Sequence, residues 1–292
     1  DAAYDESRRV WNGAIDKRPE LIVNCAGATD VAEAVRYARN HDLGVSVRSG
    51  GHHVAGSAMI DDGLVIDLGG LRDVAVDGAT GRVRTAGGAL IGDVDRATQA
   101  HGLAVPLGLV SETGVAGLTL AGGYGWMRRK HGLSCDNVRA LEVVTADGQL
   151  LAVSGEEHPD LFWALRGGGW DLAVVTALDY RAYPVGPDVY LPFLTFGMSE
   201  AGQVLANLIA LVRDAPRASL RSGADRANIE WARATSAELA PFARQGAYLN
   251  FDDLSDPQTY RNAHGHTYHR LASIKQTYDP TNLFQSRAMP VR

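Results

Sequence analysis

The hydrophobic and polar positions in the first part of the chain alternate between short apolar runs and one amphipathic stretch. The apolar runs, which predict strands, are Leu21–Val23, Val45–Val47 and Leu64–Leu68. Between the first two, Asp30–Asn40 predicts a helix with Val31 and Val35 on one face, and Asp30 and Glu33 are spaced as in a capping box. Strands that alternate with a helix indicate a compact α/β unit.

From Val74 onward the apolar runs become shorter and turn signals become frequent. The dipeptide Asp147-Gly148 lies between two alternating runs, Glu142–Ala146 and Gln149–Val153, and this arrangement predicts a β-hairpin. The remaining predicted elements are a helix over Ile91–His101, a helix over Pro159–Leu165 and a strand over Val174–Tyr183. A unit dominated by short strands therefore follows the α/β unit.

The composition shifts at Pro184-Val185-Gly186-Pro187, and we predict a domain boundary there. Beyond it the hydrophobic pattern is weaker, and no internal repeat is visible. The predicted elements of this part are helices over Ala201–Val212, Ile229–Phe242 and Tyr260–Tyr278, and a short strand over Tyr248–Phe251.

Composition and charge narrow the function classes. The 292 residues carry a formal net charge of −6, and the pI is near 5.8. This balance argues against nucleic-acid binding, which needs basic side chains to displace counterions from phosphates. No apolar run reaches the roughly 20 residues that span a bilayer, so no membrane partner is expected. The 33 glycines indicate many tight turns or close backbone approaches to a ligand.

Cysteine usage bears on the compartment. Cys25 and Cys135 form neither a CxxC pair nor a disulfide framework, and we expect both to be buried as small apolar residues. This pattern favours a cytoplasmic location and leaves secretion after removal of a leader open. The oligomeric state is not predicted.

Two glycine-rich runs are candidate binding elements. The first, Arg48–Gly56, contains the sequence Arg-Ser-Gly-Gly-His-His and directly follows an apolar run; the second extends from Gly114 to Gly125. Glycine lets backbone N–H groups approach a phosphate closely because no Cβ intervenes. No GxSxG, Walker A or HExxH motif supports a common hydrolase or phosphotransferase site. The two runs, with His52 in the first, therefore indicate a flavin site.

Seven segments in series resemble the berberine-bridge-enzyme-like branch of the vanillyl-alcohol oxidase superfamily. In chain order they are VRSGGHHVAG, PLGLVSETGVAGLTLAGGYGWMRRKHGL, DNVRALEVVTADG, HPDLFWALRGGG, VVTALDYRAYPVG, GAYLNF and YDPTNLF. The resemblance implies an α+β fold. It would consist of a two-subdomain PCMH-type FAD-binding domain, a substrate (cap) domain and a C-terminal segment that returns to the FAD domain.

The resemblance also implies a domain organisation. The FAD-binding domain would span 1–186, with subdomains of about 1–72 and 73–186, followed by a substrate domain at 187–245 and a C-terminal segment at 246–292. The family's substrate domain is normally a large antiparallel sheet, and only about 60 residues stand in its place. Two interpretations stay open: a native, reduced cap that leaves the flavin face open, or an incomplete chain.

The cofactor residues follow from the resemblance by position. His52 stands where relatives attach the flavin 8α-methyl covalently, and Val110 stands where some relatives form a second link through cysteine, so FAD with one covalent link is implied. The implied cofactor-binding residues are Arg48, Ser49, Gly50, Gly51, His52, His53, Gly56, Ser111, Thr113, Gly114, Gly117, Leu118, Thr119, Gly122, Gly123, Gly125, Val174, Val175, Tyr248 and Asn250.

Two departures from the family pattern bear on catalysis. Phe251 stands where several relatives have a tyrosine base, and phenylalanine cannot accept a proton. The catalytic base is therefore unknown. The candidates elsewhere are Tyr124, Tyr190, Glu230 and His264. Trp170 stands where glycine is usual, and it either narrows the approach to the cofactor or packs.

The histidines of the C-terminal part form an HxHxxH cluster at His264, His266 and His269. On one helix two of the three would point in different directions, and no carboxylate or cysteine stands at ligand spacing. We therefore expect no metal site there.

The function implied by the resemblance is that of an FAD-dependent oxidoreductase of secondary metabolism. Such an enzyme takes a hydride from a small organic substrate, a sugar, alcohol or secondary metabolite, to flavin N5, with O₂ as the acceptor. Two alternatives stay open: an FAD-containing cyclase that performs no redox step, and a flavin-binding remnant without catalysis. Bleaching of the flavin by substrate without oxygen would separate the oxidase from both.

Overall fold

The computed structural model describes residues 3–186, 197–214, 248, 250 and 257–285. The helices of this part are α1 (Tyr4–Ser7), α2 (Ala28–Asn40), α3 (Ile91–Gln99), α4 (Val115–Leu120), α5 (Arg128–His131), α6 (Pro159–Leu165), α7 (Ala201–Asp214), α8 (Pro257–His264) and α9 (Tyr268–Tyr278). The strands are β1 (Leu21–Asn24), β2 (Val45–Arg48), β3 (Leu64–Asp67), β4 (Val74–Asp77), β5 (Arg82–Ala86), β6 (Leu103–Ala104), β7 (Val138–Val144), β8 (Leu150–Ser154), β9 (Val174–Arg181) and β10 (Tyr183–Pro184). Within these ranges no helix is both long and apolar enough to cross a membrane.

The first three strands form a parallel sheet in the order β1-β3-β2. The central strand β3 pairs with both neighbours, so that Leu64 lies opposite Leu21 and Val45. All four residues of β3 are buried, which agrees with the rule that parallel sheets are covered on both faces. The strands predicted from the apolar runs are thus confirmed, and their carboxyl ends share one edge of the sheet.

The second sheet has five antiparallel strands in the order β4-β5-β9-β7-β8. Its central strand β9 is buried from Val174 to Tyr180, and only Arg181 is exposed. The strands β7 and β8 pair in the register Val144 to Leu150, which confirms the hairpin predicted from Asp147-Gly148. The β6 and β10 strands form a separate two-stranded ribbon.

Helix α2 packs between the two sheets. Val31 and Val35 are fully buried in one cluster with residues of the parallel sheet and with Val144 and Val174 of the antiparallel sheet. Burying each valine contributes about 1.5–3 kcal/mol, so this shared core joins the two sheets firmly. A second cluster lies on the other face of the antiparallel sheet, where α3, α4, α6 and α9 pack.

The chain returns to the parallel sheet after α9. Val45 donates its N–H to the carbonyl of Leu283 at 2.8 Å, and Gln285 donates to the carbonyl of Val45 at 2.9 Å. Phe284, between them, is buried against the same core. Residues 283–285 therefore extend the parallel sheet beside β2.

The structure corrects three local predictions. Helix α2 begins at Ala28, with Gly27 as its N-cap, so Asp30 is inside the first turn and its carboxylate accepts the N–H of Ala26 at 2.8 Å. The capping box was wrong because Asp30 does not precede the helix.

The other two corrections concern the C-terminal part. The long helix predicted over Tyr260–Tyr278 is two helices, α8 and α9, because the chain turns at Gly265, which has a φ of +48°. Of the strand predicted over Tyr248–Phe251, Tyr248 lies in irregular backbone and Asn250 in a 3₁₀ conformation. The described residues do not include the helix predicted over Ile229–Phe242. They also do not include either boundary of the predicted substrate domain, so the domain division stays a prediction.

Candidate active site

The two glycine-rich runs meet at the edge of the parallel sheet. The loop 48–56 leaves the carboxyl end of β2 and contacts the residues that precede α4. A Cβ on Gly50 would overlap the backbone nitrogen of Gly114, and a Cβ on Gly114 would overlap that of Gly50. Gly51 has a φ of +63°, which L side chains rarely adopt. Glycine at these positions is therefore what lets the two backbones touch.

A cavity of about 220 Å³ opens between the two runs. The predicted cofactor residues that line it are Ser49, Gly50, Gly51, His52, His53, Thr113, Gly114, Gly117, Leu118, Val175, Tyr248 and Asn250. The other eight do not line it: Arg48, Gly56, Ser111, Thr119, Gly122, Gly123, Gly125 and Val174. The structure thus brings both runs, β9 and the C-terminal part of the chain to one cavity.

Two of the predicted residues that do not line the cavity make polar contacts within the protein. The guanidinium of Arg48 pairs with the carboxylate of Asp67 and donates to the carbonyl of Arg9 at 3.2 Å. Thr119 shares a buried hydrogen bond of 2.6 Å with the hydroxyl of Tyr180. These side chains are used within the protein, so their part in the site is to hold the loops in place.

Two buried polar atoms on the cavity side have no partner in the described structure. They are the hydroxyl oxygen of Ser49 and Nε2 of His52. Most buried polar groups in proteins are hydrogen-bonded, and an unpaired one costs about 1–3 kcal/mol. Both residues line the cavity, so these two atoms are candidates for contact with a ligand bound there.

The second glycine-rich run is held by two residues from the C-terminal part. The hydroxyl of Tyr248 accepts the backbone N–H of Gly123 at 3.0 Å and that of Tyr124 at 3.1 Å. The amide of Asn250 donates to that hydroxyl at 2.8 Å and to the carbonyl of Leu118 at 3.1 Å. Burial raises the pKa of Tyr248, so its side chain is a neutral phenol at neutral pH.

Among the candidate bases, Tyr124 lies at the cavity wall. Its ring meets that of Tyr248 edge to face, with 5.4 Å between centroids, and the guanidinium carbon of Arg128 lies 4.9 Å from its centroid. Tyr190, Glu230 and the departure at Phe251 lie outside the described residues. Among the candidates that the structure describes, Tyr124 lines the cavity and His264 does not.

His264 lies apart from the cavity, at the end of α8 and against the ring of Tyr260, with 4.5 Å between centroids. Burial lowers its pKa to about 4, so the imidazole is neutral at neutral pH. The three C-terminal histidines occupy α8, the turn after it and α9, and the part of the chain that the structure describes has no group of three His, Cys, Asp or Glu able to hold a metal ion.

Trp170 both packs and lines the cavity. Its indole N–H donates to the carbonyl of Gly117 at 2.7 Å, and its ring meets that of His53 edge to face at 4.9 Å. Val110, at the position of the family's second covalent link, also lines the cavity and is 42% exposed. The wall there is aromatic and aliphatic.

Sequence reasoning missed a fully buried ion pair next to the cavity wall. The ammonium of Lys275 lies 2.5 Å from a carboxylate oxygen of Asp279 and donates to the carbonyls of Asp171 at 2.5 Å and Phe284 at 3.1 Å. The Asp279 carboxylate in turn accepts the backbone N–H groups of Leu283 and Phe284, at 2.8 and 3.0 Å. Asp171 and Phe284 line the cavity, so this cluster fixes part of its wall. The spacing of Lys275 and Asp279 on a helix was the available signal.

Comparison with known proteins identifies the chain. Residues 19–154 match the FAD binding domain family, and residues 247–288 match the family described as berberine and berberine like. The class defined by fold and site is therefore that of the FAD-linked flavoproteins. Within this class the chain belongs to the berberine-bridge-enzyme-like family, as its resemblance implied.

Among its relatives is (R)-6-hydroxynicotine oxidase of Paenarthrobacter nicotinovorans, which is 38% identical over 211 residues. That match covers 72% of this chain and 46% of the relative, so the chain spans less than half of that enzyme's length. An FAD-linked oxidoreductase, pgmH, of Aspergillus terreus is 39% identical over 184 residues, which is 63% of this chain and 37% of the relative.

A solved structure of 6-hydroxy-D-nicotine oxidase from Arthrobacter nicotinovorans has a TM-score of 0.87, with 24% identity, 100% of this chain covered and 96% of that chain. Glucooligosaccharide oxidase from Acremonium strictum, described as containing 6-S-cysteinyl, 8α-N1-histidyl FAD, has a TM-score of 0.81, with 16% identity and the same coverage. These likenesses show the fold, an α+β arrangement of the PCMH type.

The residues present fit FAD. The two glycine-rich runs, which touch at Gly50 and Gly114, both line the cavity, and the buried Ser49 and His52 atoms have no partner in the described structure. Backbone N–H groups in such loops suit a pyrophosphate, and the apolar wall beside Val110 suits a flat ring system.

Proposed function

We propose that the chain is the flavin-binding part of an FAD-dependent oxidase that acts on a small organic molecule and uses O₂ as its acceptor. The observation that supports this most directly is the cavity between the two glycine-rich runs, with the unpaired atoms of Ser49 and His52 at its wall. FAD bound there would supply the redox chemistry, acceptance of a hydride and transfer of electrons to O₂. The chain's own residues would bind, orient and enclose the FAD.

The attachment of the cofactor is part of the proposal. His52 would hold the flavin through a single covalent link, since its imidazole is at the wall with Nε2 unpaired. Val110 has no nucleophilic atom, so a second link of the kind that the glucooligosaccharide oxidase is described as having cannot form at that position. A tethered flavin is retained through turnover.

The proposed substrate side is the wall formed by Tyr124, Trp170 and Val110. It is aromatic and aliphatic, and this surface suits an apolar or heterocyclic ring better than a charged chain. Of these residues Tyr124 has a hydroxyl that can exchange a proton with substrate, whereas the neutral phenol of Tyr248 is used to hold backbone N–H groups.

For the compartment, the cytoplasm remains our expectation. Cys25 and Cys135 are free and buried, as predicted, and burial raises the pKa of both thiols to about 11.

The first test is spectroscopic. The purified protein should show flavin absorption, and after acid precipitation the flavin should stay in the pellet. His52→Ala should keep bound FAD and release all of it to the supernatant. Covalent flavin in His52→Ala would contradict the assignment of the link, and wild-type protein that binds no FAD when the cofactor is supplied would contradict the function.

The second test addresses the reaction. The oxidised protein is mixed without oxygen with (R)-6-hydroxynicotine and with oligosaccharides, to which the relatives' names point, and then with small alcohols, which the family resemblance implied. One class should bleach the flavin, and admission of O₂ should restore its colour with formation of H₂O₂. A compound that is converted while the flavin stays oxidised would favour the cyclase, and no conversion with any class would favour the remnant.

A further inference from the structure

Trp11 makes a contact that the cofactor residues alone do not explain. Its indole stacks on the imidazole of His52, with 4.5 Å between ring centroids and 20° between planes. The tryptophan is nevertheless 61% exposed, so its position is not explained by burial in a core. His52 lines the cavity, whereas Trp11 does not.

The backbone around Trp11 is fixed on both sides of His52. Trp11 donates its N–H to the carbonyl of Gly51 at 3.1 Å, and the amide of Asn12 donates to the carbonyl of Val54 at 2.7 Å. The segment 8–12 therefore runs along the loop like a strap, with one anchor before His52 and one after it. The guanidinium of Arg48 adds a third anchor at the carbonyl of Arg9.

We infer that Trp11 is a positioning residue for attachment of the flavin: by holding the plane of the His52 imidazole, it directs a ring nitrogen into the cavity toward flavin C8α. This inference rests on the proposed function. A histidine side chain turns freely about two bonds, and the stack removes much of that freedom while Nε2 stays buried and unpaired.

The reaction that the stack would assist is balanced as follows. A bond forms between an imidazole nitrogen and C8α, while the imidazole N–H bond and one C8α–H bond break. Two protons and two electrons are left over, and O₂ takes them up as H₂O₂. Trp11 takes no part in the bond changes; it fixes the direction of the attacking nitrogen.

The test compares Trp11→Phe and Trp11→Leu with a matched control. Tyr37 stacks on His41 at 4.0 Å and 20°, is 46% exposed and lies on α2 away from the cavity, so Tyr37→Leu removes an equivalent stack elsewhere. The full-length protein, produced without flavin, is mixed with FAD, and covalent incorporation is followed by acid precipitation and intact mass.

Trp11→Leu should form the covalent link about tenfold more slowly or worse, since small misplacements of a reacting group have effects of this size. Trp11→Phe, which keeps an aromatic face, should largely restore the rate, and Tyr37→Leu should match wild type. In the His52→Ala background, Trp11→Leu should leave the Kd for noncovalent FAD unchanged, because its partner ring is absent.

Either of two results would overturn this inference while leaving the proposed function intact. The first is a wild-type rate of attachment in Trp11→Leu. The second is a loss of noncovalent FAD affinity, when Trp11→Leu is added to His52→Ala, that is as large as the loss in attachment rate. The second result would mean that the tryptophan supports the loop in general. Wild-type protein that binds no FAD would instead overturn the proposed function, and this inference with it.

Discussion

Two sets of polar residues next to the cavity differ in how their buried groups are paired. Lys275 and Asp279 are fully buried, and hydrogen bonds link them to each other and to the backbone of cavity-lining residues. The buried hydroxyl of Ser49 and Nε2 of His52, in contrast, have no partner within the described residues. Both sets of residues lie in the same fold and next to the same cavity.

This difference in pairing distinguishes polar residues that support the site from polar residues that are left to bind a ligand. A buried charge is tolerated when its hydrogen bonds are complete, and such a cluster fixes the backbone around it. An unpaired buried group is a standing cost, which a ligand can remove by supplying the partner. Pairing within the chain therefore indicates which polar residues hold the site and which are left for the cofactor.

The largest expected effect comes from breaking the paired cluster. Lys275→Met leaves the Asp279 carboxylate buried without its cation, which should lower the free energy of unfolding by about 3–5 kcal/mol. Urea unfolding followed by circular dichroism measures this. Adding Asp279→Leu should recover part of the loss, since no lone charge then remains. A change below about 1 kcal/mol in Lys275→Met would show that the cluster is dispensable.

The next effect concerns a third unpaired group, the imidazole of His264, which lies apart from the cavity. Burial lowers its pKa from 6.5 to about 4, so between these values the unfolded chain binds a proton that the folded chain does not. Its contribution to stability is present above pH 6.5 and is lost as the pH falls toward 4, by at most about 3 kcal/mol.

His264→Gln should therefore flatten the fall in stability between pH 6.5 and 4, as measured by urea unfolding at a series of pH values. His266, exposed in the neighbouring turn, offers the control variant His266→Gln, which should keep the wild-type slope. Equal slopes for wild type and His264→Gln would refute the expectation.

A smaller effect tests the unpaired wall itself. Ser49→Ala removes the buried hydroxyl, so the flavin-free protein should keep its stability within about 1 kcal/mol, whereas the Kd for FAD should rise about tenfold. Fluorescence titration with FAD measures the Kd. Thr85 also has a buried, unpaired hydroxyl but lies on β5 away from the cavity, so Thr85→Val should leave the Kd unchanged. Equal Kd values for wild type and Ser49→Ala would remove Ser49 from the site.

The smallest effect is expected for an exposed ion pair. Arg270 and Asp160 pair across α9 and α6 at 2.5 Å, with both side chains more than half exposed. Asp160→Asn should change the free energy of unfolding by less than about 1 kcal/mol, because water and salt already screen the charges. A loss as large as that in Lys275→Met would mean that pairing matters more than burial.

Local patterns predicted much of the fold. The apolar runs of β1–β3, the Asp147-Gly148 hairpin and the Pro159 helix start were all confirmed, because each depends on neighbours in sequence. The errors were also local. Asp30 was predicted as the residue before a helix, although it lies inside the first turn, and the turn at Gly265 was overlooked within a predicted helix.

The site was predictable only where glycine marks it. Gly50 and Gly114 indicated a close backbone approach, and the structure puts them in contact. The contacts of Trp11 with His52, and of Tyr248 with Gly123, join residues far apart in the chain that have no pattern in common. Such pairs follow from the packing of whole elements, which periodicity along one segment does not report.

The pairing of residues 283–285 with β2 has a consequence for how the protein is made. Strand β2, which leads into the His52 loop, is synthesised early. Its neighbour, residues 283–285, is synthesised only after most of the intervening chain has been made. Folding that starts with the earlier residues cannot complete this edge before residues 283–285 have been synthesised. The site beside β2 is therefore expected to be ready for the flavin only when both neighbours of β2 are available.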